Sequence, residues 1–412
     1  MFPAASLLTT LLLALSIAAT PVVQVRDSPI TLPIARRLNT QGGAIKLLQH
    51  DQARASGLRT RADAISTGTL DRRTASIAVI NEATSYIAQV GVGSPATTYD
   101  LIVDTGSSNT WVGADTAYKK TSTSEATGYT VTVDYGSGSF SGNEYTDTVT
   151  LGTGLTITKQ SIGVATTSEG FDGVDGIIGI GPLDLTEGTL TNDEDATIPT
   201  VTDNLYSQGT IAQAVVGVSF EPTTSEEVTN GELTFGGTDS SKYTGDIAYT
   251  PLTTTYPASY YWGINESITY GSTTILDETA GIVDTGTTLI LLATNAYSQY
   301  QSLTGATEDE DTGLLRVTTA GYDDLEDLTF NIGSNSYALT PNGQIWPRSL
   351  NTYIGGTSDY VYLIVNSIGT PSGEGLDFIN GYTFLERFYS VFDTTNSQVG
   401  FATTSYTDAT TN

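Results

Sequence analysis

Cysteine is absent from the 412-residue chain, and histidine occurs once, as His50. Without thiols there is no disulfide framework and no thiolate chemistry. Beyond residue 73 there is neither His nor Cys, which excludes a Ser-His-Asp triad, a Cys-His dyad and a His-ligated zinc site from that part of the chain. Bases are also scarce, with 16 Lys and Arg against 45 Asp and Glu. Nine of the 16 fall within residues 21–73, leaving seven to face 41 of the acids in residues 74–412. So acidic a body repels phosphates, and nucleic acid is not an expected partner. Long apolar runs are nearly absent too. Residues 7–19 form one, too short to span a bilayer and shaped like a secretory signal, although Lys and Arg are missing ahead of it. Its cleavage is expected between Ala18 and Pro21. With no second such run and a polar end over residues 405–412, the product is expected to be soluble and exported.

General acid–base work is therefore left to Asp and Glu, and two of these stand out. Asp104-Thr105-Gly106-Ser107-Ser108-Asn109 follows the apolar stretch Leu101-Ile102-Val103, and Asp284-Thr285-Gly286-Thr287-Thr288 follows Ile282-Val283. An Asp ending a buried strand is costly unless something meets its charge. A second Asp facing it supplies a reason, because two abutting carboxylates share one proton and titrate together. Such a pair can hold and activate a water.

The rest of the chain reads as mostly β, rich in Thr, Ser, Gly, Tyr and Val. Residues 1–20 are read as the signal and 21–73 as a removable basic prosegment. Within the prosegment, residues 31–38 suggest a strand, 44–57 a helix with a basic rim, and Asp71-Arg72-Arg73 a processing neighbourhood. A basic strip against an acidic body docks at neutral pH and loosens as carboxylates protonate. Residues 74–250 and 251–412 are read as two β lobes, with the stretch 236–251 as turn-rich. Residues 129–152 suggest two strands joined by Tyr135-Gly136-Ser137-Gly138-Ser139, a glycine-rich tip suited to closing over a cleft. Helices are expected over 198–209 and 292–303, strands over 86–93, 99–104 and 260–270. Each half runs strand, Asp-Thr-Gly, then an apolar pair beside a Gly (Ile177-Ile178-Gly179 and Phe378-Ile379-Asn380-Gly381). That is a faint two-fold repeat.

These residues, in this order from about residue 80 onward, resemble the pepsin-like aspartic endopeptidases, with the cysteine-free, Thr-rich character most similar to secreted fungal members. The resemblance implies a bilobal β fold with a cleft between the lobes. It makes Asp104 and Asp284 the catalytic pair, supported by Thr105, Gly106, Ser107, Thr285, Gly286 and Thr287. It makes Tyr135 the flap ring, held by Trp111, with Gly136, Ser137, Ile102 and Phe171 among the substrate-binding positions. No cofactor is implied. The implied partners are protein or peptide substrates and the chain's own prosegment as intramolecular inhibitor, on a monomer working at acid pH. Two positions depart from the family pattern: Asn380 stands where an apolar residue is usual, and Tyr382 where many members have Asp near the second catalytic Asp. Ser137 replaces the flap Asp found in members that accept Lys, so apolar residues are expected around the scissile bond.

Two other readings stand beside this one. A glycoside hydrolase could use the same two acids, given room between them for a sugar carbon or a water. A non-catalytic binding protein could keep the two-lobed shape. Among smaller signals, Asn265-Glu266-Ser267 is the one glycosylation sequon. The acidic run 308–311 is expected to be a surface turn, since it lacks the alternating ligand spacing of a calcium loop. The 23 tyrosines are expected to fill strands and cleft walls.

Overall fold

The structure is a computed structural model, and it describes residues 29–39, 43–68, 84–191 and 193–412. The signal-like run, the basic pair at 72–73 and residues 74–83 lie outside them. Strands β1 (Ile30–Leu38), β2 (Thr84–Val92), β3 (Thr97–Asp104), β4 (Thr110–Val112), β5 (Glu125–Asp134), β6 (Ser139–Gly152), β7 (Leu155–Glu169) and β8 (Gly176–Gly179) build the first part. β9 (Val215–Ser219), β10 (Glu227–Phe235) and β11 (Thr244–Pro251) follow. The second part adds β12 (Gly263–Tyr270), β13 (Thr273–Val283), β14 (Ile290–Leu292), β15 (Thr307–Glu308), β16 (Leu315–Thr318), β17 (Leu328–Ile332) and β18 (Asn335–Leu339). It ends with β19 (Tyr360–Tyr362), β20 (Val365–Ser367), β21 (Phe378–Asn380), β22 (Phe388–Asp393) and β23 (Gln398–Thr403). The protein is mostly β and two-lobed.

The two-fold repeat is visible in the strand pairing. β3 runs parallel to β8, which pairs antiparallel with β4, and β4 runs parallel to β7. β13, β21, β14 and β20 repeat that pattern. In each lobe the Asp-bearing strand is enclosed by neighbours on both sides, so its end is rigid. The last four residues of β3, Leu101 to Asp104, are all buried, as a strand covered on both faces requires. β12, β13, β14, β17, β18, β20 and β21 form a seven-stranded sheet, and the other large sheet has 13 strands. The latter takes β22 and β23 from the chain's end and sets them beside β9 and β11. The stretch 236–251 is therefore only partly turn: Thr244–Pro251 is a strand laddered to β23.

Strand β1, expected over residues 31–38, lies inside that sheet, paired to β10 on one side and β2 on the other. The following helix α1 (Leu47–Thr67) extends ten residues past the expected stop at Gly57. Gly57 is there for proximity: a Cβ on it would come within 2.6 Å of the Gly136 Cα. The helix ends at Gly68, in the left-handed conformation with φ of 61°. Its buried stripe, Leu47, His50, Asp51, Arg54, Ala55, Leu58 and Ala62, follows helical spacing but carries three polar side chains. The basic residues expected on an outer rim thus include some that point inward.

Two other helices are shorter than expected, at Val201–Ser207 and Thr294–Thr304. A short 3₁₀ turn, Ala258–Tyr260, delays β12 to Gly263. The run 308–311 is not wholly a surface turn. Asp309 is buried, accepting the Thr312 N–H at 2.9 Å and an ion pair from Arg316. Among the described residues no helix is long and apolar enough to cross a membrane, and no group of three or more His, Cys, Asp or Glu is placed to hold a metal ion.

Candidate active site

β3 and β13 deliver the two Asp-Thr-Gly turns to one place. The turns are pinned by a reciprocal clasp: Thr105 N–H donates to Thr285 Oγ1 and Thr285 N–H to Thr105 Oγ1, each at 2.9 Å. Each hydroxyl then donates across to the opposite strand, Thr105 to Val283 O at 3.1 Å and Thr285 to Val103 O at 2.9 Å. All four bonds are buried, which satisfies groups that would otherwise be costly there.

Above the clasp the carboxylates are held symmetrically. Asp104 accepts the Gly106 N–H at 2.8 Å on Oδ1 and the Ser107 hydroxyl at 2.5 Å on Oδ2. Asp284 accepts the Gly286 N–H at 3.1 Å on Oδ1 and the Thr287 hydroxyl at 2.5 Å on Oδ2. Both acids are essentially unexposed. Each glycine makes room for the opposite acid: a Cβ on Gly106 would stand 2.6 Å from Asp284 Oδ1, and one on Gly286 would stand 2.6 Å from Asp104 Oδ1.

Between the acids lies Arg54, from α1. Its Nη2 donates to Asp104 Oδ1 at 2.5 Å and to Asp284 Oδ1 at 3.0 Å, while Nε donates to Asp284 Oδ2 at 2.7 Å. One nitrogen thus reaches both inner oxygens, so the carboxylates abut. Burial pushes Asp104 up, Arg54 opposes that, and the neighbouring Asp284 carboxylate reinforces it; the net direction is upward. Burial acts upward on Asp284 as well, but there the charge and hydrogen bonds of Arg54, with those of Thr287 and Gly286, hold it below its ordinary range.

Arg54 carries the clearest signal that the motifs alone do not reveal. The rest of α1 is stapled along the same groove. Gln52 donates to Ser367 O at 2.8 Å, and Asp51 accepts the Leu289 N–H at 2.7 Å. Arg59 reaches Thr370 Oγ1 at 2.7 Å and Leu376 O at 2.9 Å, and Arg61 reaches Leu185 O at 3.0 Å. Tyr261, another residue the sequence did not single out, donates to Leu58 O at 2.7 Å. A second buried pair ties β1 to the body: Arg36 Nε lies 3.3 Å from Glu386 Oε1, which also accepts the Tyr86 hydroxyl at 3.1 Å. A concentration of bases in one segment of an acidic chain was the available hint.

The hairpin of β5 and β6 closes over α1. Its tip is fixed by Tyr135 N–H to Gly138 O at 2.8 Å and by Gly136 N–H to Asp134 Oδ1 at 2.7 Å, with Gly136 at φ of 78°. Tyr135, Ile102, Trp111 and Phe171 share one buried apolar cluster, and Ser137 is buried beside it. The aromatic chain runs through Phe171, whose ring meets Trp111 at 4.8 Å and Tyr135 at 5.7 Å, both edge-on. Phe171 thus links the rings of Trp111 and Tyr135. Asn265 lies apart from the cleft, exposed on β12.

Comparison with known proteins agrees with this geometry. The family profile described as eukaryotic aspartyl protease matches residues 85–404. Polyporopepsin of Irpex lacteus is 66% identical over 338 residues, 82% of this chain and 99% of that protein. Gastricsin of Cavia porcellus is 33% identical over 339 residues, 77% of this chain and 80% of that protein. Pepsin A of Sus scrofa is 31% identical over 338 residues, 77% and 81% respectively. Among solved structures, an aspartic proteinase from Irpex lacteus superposes with a TM-score of 0.80 at 58% sequence identity, covering 93% of this chain and all of that one.

Proposed function

The chain belongs to the eukaryotic aspartyl protease family and is a pepsin-like aspartic endopeptidase; from that premise we propose that Asp104 and Asp284 are its catalytic pair and that it is made as an exported, self-inhibited precursor. Family membership sets aside the glycoside hydrolase and non-catalytic readings. The observation that carries the proposal is the single guanidinium of Arg54 bridging both carboxylates.

With Arg54 withdrawn, a water placed where its Nη2 now stands reaches both inner oxygens. One Asp, ionised, takes a proton from that water as it attacks the substrate carbonyl. The other, protonated, donates to the carbonyl oxygen, and the tetrahedral diol collapses as the leaving nitrogen is protonated. The chemistry needs one proton on the pair, hence acid pH. Gly106, Ser107, Gly286 and Thr287 hold the acids in place, and Thr105 and Thr285 fix the turns beneath. Tyr135, Gly136 and Ser137 close over the peptide backbone, with Ile102, Trp111 and Phe171 walling an apolar subsite. Apolar residues around the scissile bond suit that lining.

Residues 1–20 act as export signal and 21–73 as the inhibitory leader, cut near residues 73–75, with lobes over 74–250 and 251–412. Falling pH protonates the carboxylates that hold α1 and weakens its grip. The mature enzyme works as a monomer, and Asn265 is its glycan acceptor. The test is to acidify the secreted full chain, sequence the new N-terminus, and follow casein or haemoglobin digestion with and without pepstatin. Processing near residue 74 and pepstatin-sensitive digestion, both lost in Asp104→Asn and Asp284→Asn, are expected. A secreted form already starting at residues 21–25 and fully active at neutral pH would refute the precursor reading.

A further inference from the structure

Outside the dyad, the seven-stranded sheet carries another fully buried acid, Glu266 on β12. Its backbone lies opposite Thr279 of β13 and Ile332 of β17. Its side chain reaches over to β21, where Asn380 Nδ2 donates to Oε2 at 2.9 Å. The other oxygen of each group, Glu266 Oε1 and Asn380 Oδ1, is buried with no hydrogen-bond partner. Two planar groups are thus joined by one bond, each with an acceptor left over. A proton on Oε1 would supply the donor that both leftover oxygens lack. An ionised carboxylate leaves both acceptors stranded, which buried polar groups rarely tolerate.

The strands around Glu266 supply no base to meet its charge; the cations Arg54 and Arg59 of α1 engage Asp284 and face Asp377 instead. Asp284 lies just past the end of β13, whose Asp277 and Glu278 are exposed. Asp377, ahead of β21, is engaged by the Thr279 hydroxyl and by the N–H groups of Gly373 and Glu374. Glu326 and Asp327 precede β17, and the strands β12, β14, β17, β18, β20 and β21 carry no base. Burial pushes the Glu266 carboxyl up to about 8, with the Asn380 amide acting in the opposite sense.

Asn380 also touches the site directly through its backbone. It pairs with Val283 and Ile290, and its carbonyl accepts the Asp284 N–H at 3.1 Å. We propose that Glu266 is a positioning residue for Asp284: protonated, it closes a two-bond carboxylic acid–amide pair with Asn380, and that pair holds the strand anchoring the Asp284 backbone. Ionisation breaks one of the two bonds, leaves a buried charge with no cation against it and loosens β21. The upper pH limit of the site is set here. The departure at Asn380 from the usual apolar residue is then explained by its partner, since an aliphatic side chain would leave Glu266 with no bond at all.

The folded carboxyl binds its proton more tightly than the unfolded one, so the stabilisation is complete below the ordinary glutamate range and is lost as pH rises through the folded value. The role assigned to Asp284 rests on the dyad reading, but the pair itself does not, and the experiment separates them. Glu266→Gln keeps two amide bonds to Asn380 and cannot ionise. Glu266→Leu leaves the amide unpaired.

In the acid-processed protein, E266L should lower kcat by about ten-fold with KM unchanged, and E266Q should recover it. The pH of half-inactivation in E266Q should rise by about one unit or more over wild type. Unfolding of the full chain, followed by Trp fluorescence across pH 5 to 9, should show the same shift whether or not the protein cleaves peptides. The infrared spectrum of wild type at pH 6, referenced to E266Q or, if that fails to fold, to E266L, should contain the carbonyl stretch of a protonated acid that disappears as pH rises to about 9. An ionised Glu266 at pH 6, or unchanged alkaline inactivation in E266Q, overturns the proposal. A normal pair in a protein that does not hydrolyse peptides overturns the dyad reading alone.

Discussion

Gly106 faces Asp284 across the lobe junction so closely that one added methyl would sit 2.6 Å from the carboxylate oxygen. The mirrored approach of Gly286 to Asp104 has the same distance. The glycine of each Asp-Thr-Gly turn therefore serves the opposite acid, and both backbone turns are specified by a contact in the other half of the chain.

Gly106→Ala should therefore leave the fold intact and damage the chemistry. The methyl must displace Asp284 or Arg54, whose Nη2 lies equally close. A displacement of about 1 Å is expected to cost about 100-fold in kcat/KM. Steady-state kinetics beside an unchanged circular dichroism spectrum checks this.

Arg54→Ala removes the bridge and leaves two buried carboxyls abutting without a cation. One takes up a proton, and α1 loses its central contact, weakening its hold on the groove by about 3–5 kcal/mol. The full chain should bind pepstatin at pH values where wild type does not. Calorimetric titration of the unprocessed protein measures it.

Gly57→Ala acts on the same equilibrium from the other side. Its methyl would meet the Gly136 backbone at 2.6 Å, and neither backbone can yield cheaply. The hairpin tip and α1 should separate, raising the pH at which α1 leaves the groove under the proposed acid-triggered release. Exchange of the Tyr135–Ser139 amides with deuterium, faster in the variant, reports it.

Arg36→Met strips one of two cations, Arg387 being the other, from Glu386, which burial already holds above the ordinary carboxylate range. With Arg387 remaining, the loss should be about 2–3 kcal/mol at neutral pH, below the ~3–5 kcal/mol of a fully uncompensated charge. It should shrink towards pH 4, where the folded carboxyl is protonated and no longer needs a cation. Urea midpoints at the two pH values, with Arg36→Met/Glu386→Gln as partial rescue, test the sign.

Much of the site was legible because its signal is local. A short apolar strand, an Asp, a Gly and a hydroxyl lie within a few residues, and the two copies announce each other. Arg54 was not legible in this way. Nothing in α1 distinguishes it from Arg59 or Arg61, because its role is set by where the helix lies in the groove. Gly57 read as a helix stop since glycine weakens helices, but a close backbone neighbour 79 positions away, Gly136, outweighs that preference. β11 was hidden for a similar reason: its Thr- and Gly-containing sequence resembles turn, and its ladder partner begins only at Gln398. Asn380 looked like a blemish in a family pattern until Glu266 appeared beside it.

Strand β1 is clasped along both edges, by β2 and by β10. If residues 21–73 are removed as proposed, a strand woven in like this cannot be shed as a loose thread. Its departure exposes two bare rows of amide and carbonyl groups in the middle of a 13-stranded sheet, and such rows invite pairing with whatever extended chain is nearest. Maturation by the proposed route would then be a mending operation as much as a cut. A chain nicked at neutral pH, with nothing yet drawn into the gap, should clump before it ever meets a substrate.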